Sequence, residues 1–201
     1  MSAKVIGLTG LYCAGKNYAA DIFKQKGFEV LDVDKLGHEA IEKEKSAIAR
    51  NFGKDILTES GTVNRRELGK KVFGNTEKLL LLESIVHPAA NQLTDEWLEL
   101  NKNKNCLIHA ALLHKSSALK KVKAVIIVRA PFIVRLLRAK KRDCLSWKEI
   151  FYRFKSQKFN LNILSGSADV YYMNNGVKKT PPLRNRQNIE KQIDMILRKL
   201  D

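Results

Sequence analysis

A chain of 201 residues, 44% of them hydrophobic, is long enough to bury the core of an α/β domain without disulfides or metal clusters. Its formal net charge of +16 indicates anionic partners such as phosphates or nucleotides, although a lysine-rich solvated surface would give the same excess. Three widely spaced cysteines exclude a CxxC zinc site, argue against a disulfide framework and fit a reducing cytoplasm, and no segment is apolar over the length of a bilayer.

The N-terminal part of the chain has a strand–helix–strand pattern. Residues 3–8 predict a short buried strand, a glycine-rich turn follows, and a helix is expected from about residue 15 to residue 26, where Gly27 ends it. A second strand at residues 28–31 leads into Asp32-Val33-Asp34. A βαβ unit of this length predicts a parallel sheet.

The middle of the chain is predicted to be mainly helical. Residues 35–50 read as a polar helix and residues 51–64 as a loop. Residues 65–103 predict two or three helices, with interruptions near Gly74 and at His87-Pro88. We interpret this block as an insertion that forms a wall over the site.

The C-terminal part returns to the α/β pattern. Strands are predicted at residues 105–110, 122–128 and 170–173, and helices from Pro131 to about residue 141, at 145–158 and at 188–200. Ser146 and Glu149 predict a capping box at the start of the second of these helices, and residues 174–176 (NNG) predict a turn. The predicted fold class is therefore α/β, with a P-loop NTPase-type parallel sheet of about five strands and helices on both faces.

The most specific motif lies between the first strand and the first helix. Residues 10–17 (GLYCAGKN) match the phosphate-binding pattern GxxxxGK[ST] at every fixed position except the last. The glycines let backbone N–H groups curl around phosphate oxygens, the helix N-terminus adds positive potential, and Lys16 supplies a mobile charge for the β- and γ-phosphates. A chance glycine-rich turn is the alternative, but the place of the motif inside a βαβ unit favours the phosphate loop. We predict that the nucleotide contacts Gly10, Cys13, Ala14, Gly15, Lys16, Asn17 and Tyr18.

Asn17 departs from the motif, which has serine or threonine as a Mg²⁺ ligand at this place. An amide oxygen can also bind Mg²⁺, directly or through water, so Asn17 is the candidate metal ligand. Alternatively, water and carboxylates alone would hold the ion.

Two carboxylates follow the second predicted strand, at the edge of a parallel sheet where ligands bind. Alternate residues of an extended segment point the same way, so Asp32 and Asp34 are candidates for work on one substrate. One would accept or orient the proton of an attacking hydroxyl, and the other would contact metal-bound water or a substrate group. The alternative for Asp34 is a purely structural N-cap on a helix that begins at Lys35.

These motifs together resemble the dephospho-CoA kinase family, whose pattern opens with roughly IGLTGGIGSGKS and VIDAD. Further matches follow in the same order along nearly the whole chain: Phe52-Gly53 to Val63-Asn64-Arg65, Val72-Phe73, His87-Pro88, Arg138 with Arg142-Asp143, Arg153 with Gln157, and Ala168-Asp169 with Asn174-Asn175-Gly176. The resemblance implies transfer of the γ-phosphate of ATP to the ribose 3′-hydroxyl of dephospho-CoA, the last step of coenzyme A biosynthesis, with ATP and Mg²⁺ as the cofactors.

The resemblance also implies roles for individual residues. Arg142 would lie in a lid over the ATP phosphates, where a guanidinium can spread developing charge. Asn174 or Asn175 would lie near the adenine. The catalytic residues would be Asp32, Lys16 and Arg142, and the acceptor-binding residues would be Asp32, Asp34, Arg65 and His87.

The implied organisation is a single P-loop kinase domain. Its core would comprise residues 1–34, 104–134 and 168–201, with a helical substrate-binding region at 35–103 and a lid at 135–167. We expect a cytoplasmic enzyme that acts on a small molecule, without nucleic-acid or membrane partners. The residues leave open whether it is a monomer or a homo-oligomer.

Two carboxylates of the family pattern are absent from this chain. His109 stands in place of the acidic residue that opens the family segment (D/E)VPLLFE, and Lys115 stands in place of its final glutamate. Together with Asn17, these changes affect the expected metal ligation. The alternatives are a weakened nucleotide-binding protein or another small-molecule P-loop kinase, acting on a nucleoside or nucleotide, but the retained Lys16, Asp32 and Arg142 favour an active kinase.

Overall fold

The computed structural model describes residues 3–156, 168–176 and 182–200. By their internal contacts the residues group into two compact units, which we call the sheet unit (Met1–Leu31 with Asn101–Asp201) and the helical unit (Asp32–Leu100). Within the described ranges, none of the helices combines the length and apolar character needed to cross a bilayer.

Five strands and eight helices order the described residues along the chain. They are β1 (Val5–Gly10), α1 (Lys16–Gln25), β2 (Glu29–Asp32), α2 (Val33–Lys43), α3 (Lys45–Phe52), α4 (Arg65–Val72), α5 (Thr76–Leu100), β3 (Cys106–His109), β4 (Ala124–Arg129), α6 (Phe132–Asp143), α7 (Trp147–Ser156), β5 (Asp169–Asn174) and α8 (Pro182–Leu200). Short 3₁₀ turns lie at Lys54–Ile56, Leu113–Lys115 and Ser117–Lys121.

The strands form one sheet in the order β2-β3-β1-β4-β5. β1 lies at its centre and pairs in parallel with β3 on one side and β4 on the other, and β4 pairs in parallel with β5. β4 is buried from Ala124 to Val128, as its nearly continuous β-branched sequence predicts for a strand covered on both faces. The predicted five-stranded parallel sheet with helices on both faces is confirmed.

The main core of the sheet unit lies where α1 and α8 pack against the strands. Phe23 of α1 and Ile193 of α8 are both fully buried there, and Phe23 meets Phe28 edge-to-face with 5.1 Å between ring centroids. An aromatic pair in this geometry adds to the stability gained from burial alone. This packing fixes the direction in which α1 leaves the loop after β1.

The helical unit has a core of its own, formed where α2, α3, α4 and α5 meet. Ile48 and Ile56 are completely buried in it. An isolated antiparallel bridge between Leu57 and Val63 closes the loop that precedes α4. The ammonium of Lys71 donates to the carbonyl oxygen of Phe52 and to Asp55, each at 2.6 Å, and so ties α4 to the end of α3.

The predicted interruption at His87-Pro88 is wrong, because α5 runs unbroken through Pro88. A proline inside a helix removes one backbone hydrogen bond and crowds the preceding turn, which is why a break was expected. Val86, Ala89 and Ala90 on either side of it are buried in the core of the helical unit. Tertiary packing on both sides of Pro88 therefore outweighs the local cost.

Other predicted boundaries shift by a few residues. The first strand begins and ends two residues later than predicted, and the C-terminal helix begins at Pro182 rather than at residue 188. The capping box is confirmed, since the backbone amide of Ser146 donates to the Glu149 carboxylate at 2.9 Å and the amide of Glu149 donates to the Ser146 hydroxyl at 3.3 Å. Of the predicted turn, Asn174 belongs to β5, and the chain after Gly176 lies outside the described residues, as does Gln157.

Candidate active site

The loop between β1 and α1 is shaped by two left-handed residues. Cys13 has φ of 58° and Gly15, the N-cap of α1, has φ of 99°. Gly10, at the end of β1, leaves no room for a side chain, because a Cβ there would lie 2.5 Å from the backbone oxygen of Val128. The sequence 10–17 therefore folds into a tight curl that ends on the first turn of a helix, as the phosphate-loop motif predicts.

Side chains from α6 and from the end of β5 hold the carbonyl groups of this loop. The carbonyl oxygen of Ala14 accepts hydrogen bonds from Nδ2 of Asn175 at 2.9 Å and from Nη1 of Arg138 at 3.3 Å. The carbonyl oxygen of Tyr12 accepts from Nη1 of Arg135 at 3.4 Å. In a trans peptide the next N–H points opposite to the carbonyl, so the amides of Cys13 and Gly15 point away from these donors. The amide of Ala14 instead closes the turn by donating to Leu11 at 3.0 Å.

A cavity of about 710 Å³ opens over the loop. Eight of the residues predicted to bind the nucleotide line it: Cys13, Ala14, Gly15, Lys16, Asn17, Tyr18, Arg142 and Asn175. Gly10 and Asn174 do not line it; Asn174 ends β5, where its backbone exchanges hydrogen bonds with the side chain of Gln192. Leu11, Arg138 and Lys141 complete the wall.

The charge of the cavity has one sign. Lys16, Arg138, Lys141 and Arg142 line it, and no carboxylate is among the lining residues. The N-terminus of α1 adds the partial positive charge of a helix dipole. A cavity with four cations and a helix N-terminus is suited to a polyphosphate, whose charge at neutral pH would balance them.

Lys141 is the member of this set that sequence reasoning missed. Arg138, Lys141 and Arg142 are spaced three and four residues apart on α6, which places them on one face of the helix. That spacing was available in the sequence, but a run of basic residues on a helix more often marks a solvated surface.

Arg142 is held by a carboxylate next to it in the chain. Its Nε and Nη2 donate to Asp143 at 2.6 and 3.1 Å, and the hydroxyl of Tyr12 in the phosphate loop donates to the same carboxylate. The hydrogen bond from Arg142 lowers the pKa of Asp143, and that same pair raises the pKa of Arg142. Burial and, next, the bond to Asp143 raise the pKa of Tyr12. At neutral pH the network therefore joins a protonated phenol, an ionised carboxylate and a guanidinium.

Asp32 and Asp34 belong to the helical unit, and the structure corrects their local assignment. The helix after the second strand begins at Val33, so Asp32 is its N-cap and its Oδ1 accepts from the amides of Asp34 and Lys35 at 3.1 and 3.3 Å. Asp34 lies in the first helical turn and is neither the cap nor part of an extended segment. The expectation that both carboxylates point the same way rested on extended geometry and is wrong.

The other two predicted acceptor-binding residues also lie in the helical unit. Arg65 is exposed and is the first residue of α4, directly after the N-cap Asn64, whose Oδ1 accepts from the amides of Arg66 and Glu67 at 3.2 and 3.3 Å. His87 is half-buried in the middle of α5 rather than at a helix end.

The donors available for a metal ion are few. Among the described residues, no three histidine, cysteine, aspartate or glutamate side chains come together as a metal site. His109 ends β3, in register with Leu8 of β1, and is only 4% exposed. Asn17 lines the cavity and carries a hard amide oxygen. This donor fits Mg²⁺ that arrives on the nucleotide phosphates and keeps most of its water.

Comparison with known proteins is consistent along the whole chain. A sequence profile of the dephospho-CoA kinase family matches residues 4–179. A dephospho-CoA kinase of Bacillus licheniformis is 35% identical over 182 residues, which cover 87% of this chain and 90% of the relative. The crystal structure of TT1252 from Thermus thermophilus superposes with a TM-score of 0.79 at 25% identity, covering 100% of both chains. A dephospho-CoA kinase from Campylobacter jejuni has the same fold, with a TM-score of 0.65 at 23% identity and coverage of 96% and 97%.

Proposed function

The chain belongs to the dephospho-CoA kinase family of ATP-dependent transferases, and we propose that the cavity over its phosphate loop is the ATP site of that reaction. The reaction transfers the γ-phosphate of ATP to the ribose 3′-hydroxyl of dephospho-CoA and yields CoA and ADP. The observation that carries the assignment of the site is the cavity itself, lined by a curled loop, a helix N-terminus and four cations without a carboxylate.

The phosphate loop and α6 supply the groups for the phosphates. The amides of Cys13 and Gly15 donate to phosphate oxygens, and Lys16 follows the β- and γ-phosphates. Arg142 neutralises the charge that spreads over the γ-phosphoryl group as its bond to the β-phosphate breaks. Asn175, which braces the loop, and Asn174 lie on the adenine side in this proposal.

Acceptor chemistry falls to the helical unit. Asp32 accepts or orients the proton of the 3′-hydroxyl, a role compatible with its N-cap bonds because an ionised carboxylate offers about four lone-pair sites. Asp34, Arg65 and His87 bind the acceptor. Arg65 suits a phosphate group of dephospho-CoA, because it is exposed and opens a helix whose N-terminus attracts anions.

The metal that accompanies ATP would be Mg²⁺, held by phosphate oxygens, water and the side-chain oxygen of Asn17. When bound, the ion supplies charge neutralisation between the β- and γ-phosphates. We place the reaction in the cytoplasm, in keeping with the three free thiols Cys13, Cys106 and Cys144.

The test is an assay with purified protein, ATP·Mg²⁺ and dephospho-CoA, with CoA measured by mass spectrometry. We expect CoA and ADP in equal amounts. Phosphorylation of a nucleoside in place of dephospho-CoA would support the alternative small-molecule kinase. ATP binding without transfer to any acceptor would support the weakened nucleotide-binding protein.

A substitution at Lys16 tests the site directly. Lys16→Ala should lower kcat/KM at least about a hundredfold, because it removes the mobile charge that follows the transferred phosphoryl group. Lys24→Ala is the matched control, since Lys24 is an exposed lysine in the last turn of the same helix. Equal activity of the two variants would remove Lys16 from the mechanism.

A further inference from the structure

Tyr12 connects the phosphate loop to both helices that follow β4. Its ring meets Phe154 of α7 edge-to-face with 5.3 Å between centroids, and the guanidinium of Arg142 on α6 lies 5.3 Å from the ring centre. Its carbonyl oxygen is held by Arg135 of α6 at 3.4 Å. A phosphate loop needs no aromatic side chain to curl around phosphates, so this residue does something that the motif does not require.

The hydroxyl of Tyr12 reaches the one carboxylate that orients Arg142. Asp143 is largely shielded, with 14% of its side chain exposed, whereas 58% of the Arg142 side chain is exposed. Asp143 engages the edge of the guanidinium formed by Nε and Nη2, and it also receives Arg153 at 3.5 Å. An exposed arginine has many rotamers, and a bidentate pair with a fixed carboxylate selects among them.

The protonation states suit this chain of contacts. Burial and the bond to Asp143 keep the pKa of Tyr12 above its ordinary value, so the phenol remains a donor at neutral pH. The bond from Arg142 keeps the pKa of Asp143 low, so the carboxylate remains an acceptor.

We propose that Tyr12 is a positioning residue: its hydroxyl fixes Asp143, and Asp143 in turn aims Arg142 into the nucleotide cavity. The loop that binds the phosphates thereby also sets the arginine that neutralises them. The proposal rests on the proposed function, because it assigns Tyr12 to the phosphoryl-transfer step.

Tyr12→Phe removes the hydroxyl and keeps the ring against Phe154. We expect kcat for CoA formation to fall about fivefold, with the KM for ATP changed less than about twofold, because the loop amides and Lys16 still bind the ground state. Tyr152→Phe is the matched control, because Tyr152 is a 67% exposed tyrosine on α7. It should keep the wild-type kcat.

A double-mutant cycle separates positioning from general structure. In an Arg142→Ala background, Tyr12→Phe should change kcat by less than about 1.5-fold, because the group it positions is gone. The same fivefold loss in both backgrounds, or no loss in the wild-type background, would overturn the proposal while leaving CoA formation intact. A wild-type protein that makes no CoA would overturn the proposed function itself, and the assignment of Tyr12 to phosphoryl transfer with it. If Tyr12→Phe melts well below the wild type, Asp143→Asn takes its place in the cycle, with the same expected pattern.

Discussion

Gly15 is held both by its backbone conformation and by a neighbouring side chain. Its φ of 99° strains any residue with a Cβ, and an added Cβ would run into Nδ2 of Asn175, which braces Ala14. We therefore expect Gly15→Ala to fold but to lower ATP affinity at least about tenfold, from backbone strain together with displacement of Asn175. Equilibrium titration with ATP measures this.

Gly27→Ala is the control for that experiment. Gly27 also has positive φ, 83°, but nothing lies within 4 Å of the position of an added Cβ. It should lower stability through the backbone cost alone and leave ATP affinity unchanged. A loss of affinity in both variants would show that strain, not the contact with Asn175, decides binding.

The ion pair of Asp143 predicts how stability depends on pH. The carboxyl titrates lower in the folded chain than in the unfolded chain, where its pKa is about 3.9. Its contribution is therefore complete above about pH 4 and is lost as the pH falls through the folded pKa. We expect Asp143→Asn to lower the free energy of unfolding by roughly 1 kcal/mol at pH 7, since Arg142 is more than half exposed.

Urea unfolding of Asp143→Asn and wild type at pH 7, 5 and 3 tests this expectation. The difference between the two proteins should stay constant from pH 7 to pH 5 and shrink by pH 3. A difference that persists unchanged at pH 3 would contradict a role for the ionised carboxylate.

Sequence reasoning found the loop residues of the cavity but not what holds the loop. Positions 10 to 17 follow from a motif whose spacing is local, so each residue could be named in advance. The bonds from Asn175 and Arg138 to Ala14 join residues more than a hundred positions apart, and no local pattern encodes them. The capping role of Asp32 was missed because the helix starts two residues earlier than its polar sequence suggested.

At the level of elements, the N-cap of α4 gives a direct test of the helical unit. Asn64 satisfies two amides at the helix N-terminus and precedes Arg65. Asn64→Ala should lower the free energy of unfolding by about 1 kcal/mol, whereas Asn64→Asp should be nearly neutral because aspartate caps as well as asparagine. Thermal and urea unfolding measure both. Asn103→Ala, at an exposed asparagine outside the helices, is the control. Equal stability of the alanine variants would argue against the cap.

Helices were predictable from the sequence where their ends carry chemical signals. The Ser146 and Glu149 pair marked the start of α7 correctly, because the capping bonds form within four residues. Pro88 misled because its local effect is to break a helix, while the burial of Val86, Ala89 and Ala90 that keeps α5 intact depends on packing against other elements.

For the whole molecule, the net charge of +16 opposes compactness. Screening should relieve this repulsion, so we expect the free energy of unfolding to rise by about 1 kcal/mol between 10 and 200 mM sodium chloride, as the screening length falls to under about 10 Å. Chloride is preferred to sulfate, since an oxyanion bound at the phosphate loop would stabilise the fold by binding. Stability that falls with chloride would mean that the ion pairs outweigh the repulsion.

The class of sheet followed from the sequence, but its strand order did not. Apolar β-branched runs alternating with helices predict parallel strands because the signal is local. The order β2-β3-β1-β4-β5 depends on which strands meet across long separations, and the residues of β1 fit equally well beside any buried neighbour. The departures at Asn17 and His109 were readable, but their effect on catalysis is a matter for measurement.

The central place of β1 has a consequence for the newly made chain. Val5 pairs with Cys106, and Ile6 pairs with Ala124, so the first strand to leave the ribosome is also the one that waits longest for its neighbours. At a synthesis rate of about 5–20 residues per second, that wait lasts roughly five to twenty seconds. Throughout it a short apolar segment is without its sheet partners, and this is the interval in which a chaperone would have to shield it.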